Sequence, residues 1–183
     1  MEYYYSIFNT NWGWMGIVFS DRGLVKIVLP QNKKELPLQK ILQKFPHAKL
    51  KHAKGENFPK KLTLYFKGKD PLFNFTLDLS YYTPFQKKVW KITSQIQYGE
   101  VATYSEIGEK IVNKFAARAV GSALKRNPLP IIIPCHRVIR KNGELGGFLG
   151  TSGIKIKARL LELEGITLDK NQKAVNKLSP KSL

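Results

Sequence analysis

Two helix-start signatures dominate the second half of this chain. Residues 83–86 read Thr-Pro-Phe-Gln, so a threonine N-cap precedes a proline in the first turn and the glutamine can close a capping box. Residues 103–106 read Thr-Tyr-Ser-Glu and repeat the capping pattern. Apolar side chains recur on one face after Thr83, which predicts a first helix ending at Gly99 and a short second helix ending near Val112. The second half is therefore predicted to be mainly helical.

A third predicted helix, over residues 115–126, is thin on one side. Its small residues are Ala116, Ala117, Ala119, Gly121, Ser122 and Ala123. A short helix, a turn at 113–114 and a small-residue helix carrying Arg118 and Lys125 are typical of a helix-turn-helix. Small side chains also allow close helix packing, so that alternative stays open beside DNA contact.

The net charge favours a polyanionic partner. Thirty-one Lys and Arg face thirteen Asp and Glu, which gives +18 at pH 7. Between Lys110 and Arg159 there are eleven basic residues and one acid, Glu144. Nucleic acid is the partner most typical of this balance, and an acidic membrane surface is the weaker alternative. A lysine-rich solvated surface would explain part of it without any partner.

The first thirty residues are patterned as strands. Alternating and aromatic stretches at 3–8, 14–19 and 24–29 are separated by turn signals and predict an antiparallel meander. A helix at 36–44 follows, then further helix at 61–67 and strand at 72–79. We predict an α+β protein: an N-terminal α/β domain with a small, mainly antiparallel sheet over 1–80, and a mainly helical helix-turn-helix domain over 83–168. The basic tail over 169–183 is predicted to be disordered.

The lone cysteine, Cys135, is the candidate reactive group. It sits in the run Pro134-Cys135-His136-Arg137-Val138, with further cations at Arg140 and Lys141. Thiolates are nucleophiles, and nearby positive charge lowers the pKa of a cysteine. Inert core packing is the alternative. If the chain is extended here, the thiol and imidazole point to opposite faces, so we predict a bridging water or a local turn between them.

Several motifs together resemble the O6-alkylguanine-DNA alkyltransferase family. They are Tyr98-Gly99-Glu100-Val101, Tyr104, the Ala-Ala-Arg-Ala-Val-Gly run at 116–121, Asn127-Pro128 and the Ile-Pro-Cys-His-Arg-Val run at 133–138. The resemblance covers about half of the chain, from Thr83 to Leu168. It implies direct DNA repair, in which an alkylated guanine is flipped out of double-stranded DNA and its alkyl group is transferred irreversibly to Cys135.

The resemblance also implies a role for individual residues. His136 would take the proton of Cys135, Glu164 would orient His136, and Tyr104 would protonate the departing guanine. Asn127 would brace the segment that leads to Cys135. The DNA-contacting residues would be Arg118, which fills the gap in the base stack, with Ala116, Ala117 and Ser122. Phe148, Val138 and Tyr104 would line the substrate pocket.

The chain departs from the family pattern after Phe148. Leu149 stands where many relatives carry a serine, and the loop to Gly153 is longer by about two residues. Leu149 cannot supply a side-chain hydroxyl to the alkylated oxygen, and a backbone N–H is the alternative donor. Ser152 is the expected cap of a last helix that runs to Leu163 and is closed by Gly165.

Two rival functions remain at this point. A non-catalytic DNA lesion sensor or helix-turn-helix regulator would need no nucleophile at Cys135. A cysteine hydrolase built on Cys135, His136 and Glu164 would turn over repeatedly and would leave the basic helix without purpose. Each rival therefore predicts a different outcome for Cys135.

Composition sets the remaining expectations. No motif indicates a cofactor, and one cysteine with three scattered histidines predicts no zinc site. We expect no membrane span, a monomer, and a reducing compartment: the cytoplasm, or the nucleus in a eukaryote. Abundant Lys, Glu and Ile with two Met are typical of a thermophile.

Overall fold

The computed structural model describes residues 1–51, 57–111, 116–148 and 153–175 as two compact units, Met1–Ser80 and Tyr81–Leu183. It is a mixed α+β fold with a small, mostly antiparallel sheet and several helices, as predicted. No helix within the described ranges is long and apolar enough to cross a membrane.

The first unit is built on an antiparallel meander, which confirms the strand prediction. Its strands are β1 (Tyr4–Thr10), β2 (Gly13–Ser20) and β3 (Gly23–Gln31), and the short β4 (Lys49–Leu50) pairs parallel with β1. The sheet order is β3-β2-β1-β4. The helices of this unit are α1 (Glu35–Lys44) and α2 (Phe58–Tyr65).

Helix α1 packs directly on the sheet at Gly16. A Cβ added there would lie 2.6 Å from Ile41 Cδ1, so a side chain at this position would require the Ile41 side chain to move. Ile41 is fully buried with Val18, Val25 and Val28 in one apolar cluster. This burial stabilises the sheet from one face because apolar area is removed from water.

The predicted strand at 72–79 is wrong. Within the described residues, the only β-pairing of this segment is an isolated bridge between Leu77 and Leu24. Phe75 instead stacks on Phe58 of α2 at 3.8 Å between ring centroids. The Ser20 hydroxyl donates a hydrogen bond to Asp78 Oδ2 at 2.7 Å. The alternating aromatic pattern therefore reflects packing on a helix, and pattern alone does not separate the two cases.

The second unit contains four α-helices in its described residues. They are α3 (Pro84–Thr93), α4 (Tyr104–Ile111), α5 (Ala117–Lys125) and α6 (Gly153–Leu163). Two short strands, β5 (Ala102–Thr103) and β6 (Val138–Ile139), pair in parallel. Residues 112–115 lie outside the described part of the chain, and with them the predicted end of the second helix near Val112, the turn at 113–114 and the predicted start of the third helix.

Both capping boxes form. Thr83 Oγ1 accepts from the Gln86 N–H at 3.2 Å, and the Thr83 N–H donates to Gln86 Oε1 at 3.0 Å. Thr103 and Glu106 make the same reciprocal pair at the start of α4. Helix α3 ends at Thr93 rather than at Gly99, because the next turn tightens to hydrogen bonds three residues apart.

The predicted disordered tail is wrong for residues 169–175. Asp169 Oδ1 accepts the N–H groups of Asn171 and Lys173, both at 2.8 Å, and so closes a turn. Ala174 follows, 6% exposed, in an apolar cluster with Leu145 and Leu161. One small buried residue and an aspartate-capped turn order a segment whose composition alone predicts disorder. Residues 176–183 lie outside the described part.

Candidate active site

A tight turn presents Cys135. The Ile133 N–H donates to Leu129 O at 2.8 Å, and Ile131 between them has φ of +79°. A β-branched residue rarely adopts this left-handed backbone, which costs on the order of 1–3 kcal/mol. Ile131 is 2% exposed, so its surroundings hold it there. Cys135 then begins one turn of 3-10 helix, Cys135–Arg137, which is the local turn expected as one alternative to a bridging water.

Both the nitrogen and the oxygen of the Asn127 side-chain amide form hydrogen bonds to this segment. Its Nδ2 donates to Ile133 O at 2.8 Å and to Cys135 Sγ at 3.0 Å, and its Oδ1 accepts from the Leu129 N–H at 2.9 Å. Asn127 does not adopt the left-handed conformation of a simple helix cap. It therefore ties the sulfur to the turn that carries it.

The thiol is buried, and its surroundings act on it in opposite directions. Burial raises the pKa of Cys135, while the hydrogen bond from Asn127 and the charge of Lys157 act to lower it. The N–H groups of Cys135 and His136 add to the lowering. The backbone N–H groups at the start of the 3-10 turn thus point toward the sulfur, and their partial positive charges favour the thiolate.

Lys157 is the functional candidate that sequence reasoning missed. Its side chain is fully buried on α6, and its Nζ donates to Val138 O and Leu145 O. Burial lowers the pKa of Lys157 to about 8, and the Cys135 thiolate opposes that shift. Nζ also lies 5.9 Å from the centroid of the Tyr104 ring. A buried cation, fixed by two backbone carbonyls, thus interacts electrostatically with the thiol.

His136, Glu164 and Arg137 form a buried network. His136 Nε2 lies 2.8 Å from Glu164 Oε1. Arg137 Nε and Nη2 donate to the two oxygens of Glu164 at 2.8 and 2.9 Å, and Arg137 Nη1 donates to Ile96 O at 2.7 Å. The sequence places Arg137 as a cation beside the thiol; it is instead the counter-ion of Glu164.

This network sets the protonation of the pair. Burial by itself would raise the pKa of Glu164, but His136 and Arg137 hold it well below its usual range. Burial lowers the pKa of His136, and Glu164 opposes that shift only in part. The resting state therefore has an ionised Glu164 and a neutral His136. Since an ionised carboxylate can only accept, Nε2 carries the hydrogen and Nδ1 is the basic nitrogen.

A cavity of about 760 Å³ brings several predicted residues together. Cys135, Tyr104, Phe148 and Arg118 all line it. Burial raises the pKa of Tyr104, and the Cys135 thiolate adds to this. Tyr104 lies close to the backbone at Gly146, where a Cβ would come within 2.9 Å of Tyr104 Oη. The absence of a side chain at Gly146 therefore leaves room for the tyrosine ring. The residues Leu149 and Ser152 lie outside the described part of the chain.

The remaining predicted site residues differ in whether they line this cavity. Val138 does not line the cavity; it is fully buried in β6, and its carbonyl accepts from Lys157. Ala117 lines the cavity beside Arg118, which is exposed on the first turn of α5. Ala116 precedes α5 and Ser122 is exposed on it, and neither lines the cavity.

The buried neutral imidazole predicts a pH dependence of stability. An unfolded histidine binds a proton below pH about 6.5, whereas folded His136 binds one only at lower pH because its pKa is lowered. The free energy of unfolding should therefore fall as the pH drops below about 6.5, by up to about 1.4 kcal/mol per pH unit. Urea unfolding between pH 7.5 and 5.5 measures this slope.

The control for this prediction is a second histidine. His136→Gln should flatten the slope, whereas His47→Gln, at an exposed position, should retain it. A slope that is unchanged in the His136 variant would contradict a buried neutral imidazole.

The comparisons with known proteins agree on one family. Residues 84–166 match the family model described as 6-O-methylguanine DNA methyltransferase, DNA binding domain. A methylated-DNA–protein-cysteine methyltransferase of Methanosarcina acetivorans is 38% identical over 166 residues, which cover 88% of this chain and 98% of that protein. The chain belongs to the O6-methylguanine-DNA methyltransferase family.

Solved structures support the membership of the chain in the O6-methylguanine-DNA methyltransferase family. The O6-methylguanine methyltransferase of Mycobacterium tuberculosis is 32% identical with a TM-score of 0.72, over 95% of this chain and 96% of that one. A structure from the same organism, in complex with DNA, is 35% identical with a TM-score of 0.71, over 88% and 92%. The mixed α+β fold of the described residues thus matches that of the solved O6-methylguanine methyltransferases.

Proposed function

We propose that this protein repairs DNA directly by transferring the alkyl group of O6-alkylguanine from double-stranded DNA to Cys135. One observation carries the proposal: Cys135 lines a cavity, and the next residue, His136, is buried and paired with Glu164 at 2.8 Å. The relatives named above are cysteine methyltransferases, and one was solved with DNA.

The reaction needs a base, a nucleophile and a leaving group that does not depart as a full anion. His136 takes the proton of Cys135 at Nδ1, and Glu164 stabilises the imidazolium that results. The Cys135 sulfur forms a bond to the alkyl carbon, and the bond from that carbon to guanine O6 breaks with its electron pair going to the base. Tyr104 protonates the departing guanine. The products are unmodified guanine and a thioether.

The thioether explains why the protein is consumed. A thiolate is a poor leaving group from an unactivated alkyl carbon, so water does not cleave the carbon–sulfur bond and each molecule repairs one lesion. A cysteine hydrolase would instead turn over repeatedly. A lesion sensor would not need the Asn127 hydrogen bond and the Lys157 charge that act to lower the pKa of the Cys135 thiol.

We infer that α4 and α5 form a helix-turn-helix with α5 presented to DNA. Helix α5 is thin where Ala117 and Gly121 line the cavity, which lets its backbone approach a groove. Arg118 is exposed at its first turn and reaches the cavity mouth, where it can fill the gap that a flipped base leaves. Ala116 and Ser122 complete the contact surface, and Phe148 stacks on the flipped base.

We also infer a monomer that works in a reducing compartment. Every residue in the proposed mechanism comes from one chain, so no second subunit is needed. A consumable free thiol must stay reduced until it meets a lesion, which the cytoplasm, or a nucleus, provides.

The test of the function is a mass measurement. Protein is incubated with duplex DNA that contains O6-methylguanine, and intact and peptide masses are taken. We expect a gain of one methyl group on the peptide with Cys135, and repair that stops after one equivalent. Cys135→Ala should gain nothing. Repair that continues past one equivalent, or methylation elsewhere, would refute the proposal.

Replacing Arg118 separates flipping from chemistry. Arg118→Ala removes the side chain that fills the stack, so the rate with a paired lesion in duplex DNA should fall by about tenfold, the range of one interaction worth about 1–2 kcal/mol. The rate with free O6-benzylguanine should fall much less. Single-turnover assays on both substrates measure this, and equal losses would reject the stack-filling role.

A further inference from the structure

The cavity that contains Cys135 has a second wall outside the matched domain. Asn171 and Gln172 line it, and both follow residue 166, where the family match ends. They belong to the turn over residues 169–173, called the C-terminal turn below. Helix α5 contributes Arg118 and Lys125 to the lining of the same cavity.

The C-terminal turn is fixed at both ends. Asp169 Oδ1 accepts the N–H groups of Asn171 and Lys173, and the Gln172 N–H donates to Asp169 O at 2.9 Å. The next residue, Ala174, is buried, and its N–H donates to Gly143 O at 3.0 Å. The turn is thus attached to the loop that carries Gly146 and Phe148.

Gln172 adopts an unusual backbone conformation. Its φ is +56°, in the left-handed region that glycine prefers and that glutamine rarely adopts. Glycine would fit this position with less strain, yet a residue with a long amide side chain stands here in the cavity lining. Such an outlier at a site points to a use for the side chain.

Burial orders the cavity from its inner end to its mouth. Cys135 and Phe148 are 6% and 5% exposed and form the inner end. The exposed lining residues, which include Arg140, Asn171 and Gln172, lie at the mouth. A flipped nucleotide that places its base at Cys135 leaves its sugar and phosphates at the mouth.

The mouth residues on this side can donate hydrogen bonds. Amide and guanidinium groups are common donors to phosphate oxygens in protein–DNA contacts. The guanidinium of Arg140 pairs with Glu144 at 2.7 Å, but 61% and 38% of the two side chains are exposed. An exposed pair of this kind is weak and can be exchanged for a phosphate.

We propose that the C-terminal turn and Arg140 hold the sugar–phosphate of the flipped nucleotide, as a counterpart to α5 at the cavity mouth. Asn171 and Gln172 donate through their side-chain amides, and Arg140 exchanges Glu144 for a phosphate. This inference rests on the proposed function, because it needs a flipped nucleotide in the cavity.

The sharpest test is Gln172→Gly, which removes the amide and suits the backbone. Its thermal stability should stay equal or rise. Its single-turnover rate with a duplex O6-methylguanine substrate should fall by about threefold to tenfold, the scale of one polar contact. The fall with free O6-benzylguanine should be several-fold smaller. Asn171→Ala should behave alike, and Gln95→Ala, which removes an exposed amide away from the cavity, should change neither rate.

Arg140→Ala provides an independent readout. Losing one phosphate contact by a cation should reduce the slope of log affinity against log salt by about 0.9, whereas Gln172→Gly should leave the slope unchanged. Equal losses on both substrates, or no loss on the duplex, would overturn the proposal for the turn. If the unaltered protein transfers alkyl groups from neither substrate, the proposed function itself fails.

Discussion

Replacing Glu164 with glutamine should lower both stability and reactivity. Glutamine at this position would keep the shape of the side chain but remove the charge that Arg137 and His136 share. Arg137 is 8% exposed, so its cation would be left buried without a counter-ion. Breaking a buried ion pair from one side costs about 3–5 kcal/mol of unfolding free energy. Urea unfolding at pH 7.5 measures that loss.

The same substitution should slow alkyl transfer. Without an adjacent carboxylate, the imidazolium of His136 is less stable, and the imidazole is a poorer base for Cys135. We expect the single-turnover rate to fall by about 10²–10⁴, the range that a positioned general base contributes. Free O6-benzylguanine suits this assay because its reaction does not depend on base flipping.

Glu162 provides the matched control. It is exposed in the last turn of α6, two residues before Glu164, and Glu162→Gln removes the same charge at the surface. That variant should stay within about 0.5 kcal/mol of the unaltered protein, as surface substitutions usually do. A comparable loss in both variants would mean that the Glu164 effect is a property of the helix rather than of the buried network.

Local signals in the sequence predict a large part of the fold. The meander is readable because alternation of period two is interrupted by turn residues, and the helix starts are readable because a capping box lies within four residues. The strand prediction at 72–79 fails because Phe73 and Phe75 alternate for a different reason, their packing against α2. An alternation of period two shows that the two sides of an extended segment have different environments. It does not show whether a neighbouring strand or a helix packs against the apolar side.

The candidate site is predictable where its residues are neighbours in sequence. Cys135 and His136 stand together, but the pairing of Arg137 with Glu164 joins residues 27 positions apart and leaves no local pattern. The sequence therefore assigns Arg137 to the wrong partner. The ordering of residues 169–175 also depends on distant contacts, through Ala174 and Gly143.

The helical periodicity of α6 could have identified Lys157 as a buried residue from the sequence. It shares a buried stripe of α6 with Gly153, Leu160 and Leu161, so a lysine occupies an apolar position of the helix. A lysine is almost never fully buried without partners. The periodicity of α6 thus marks Lys157 as unusual from the sequence, although it does not identify Cys135 as its neighbour.

Replacing Lys157 with methionine should weaken the thiol as a nucleophile. Methionine fills a similar volume and has no charge, so the lowering effect of Lys157 on the pKa of Cys135 is lost. Removing a nearby opposite charge raises a pKa by about one unit or more, which reduces the thiolate fraction about tenfold at neutral pH. We therefore expect the single-turnover rate at pH 7.5 to fall by about tenfold or more.

The direction of the pH dependence identifies the cause. If Lys157 acts through the charge beside Cys135, the rate of Lys157→Met should recover as the pH rises, because the thiol then ionises without help. The pH dependence of iodoacetamide modification of Cys135 should shift upward by the same amount. Lys155→Met, which removes an exposed lysine from the same helix, should shift neither profile. A rate loss that persists unchanged at high pH would show that Lys157 acts only by holding Val138 O and Leu145 O in place.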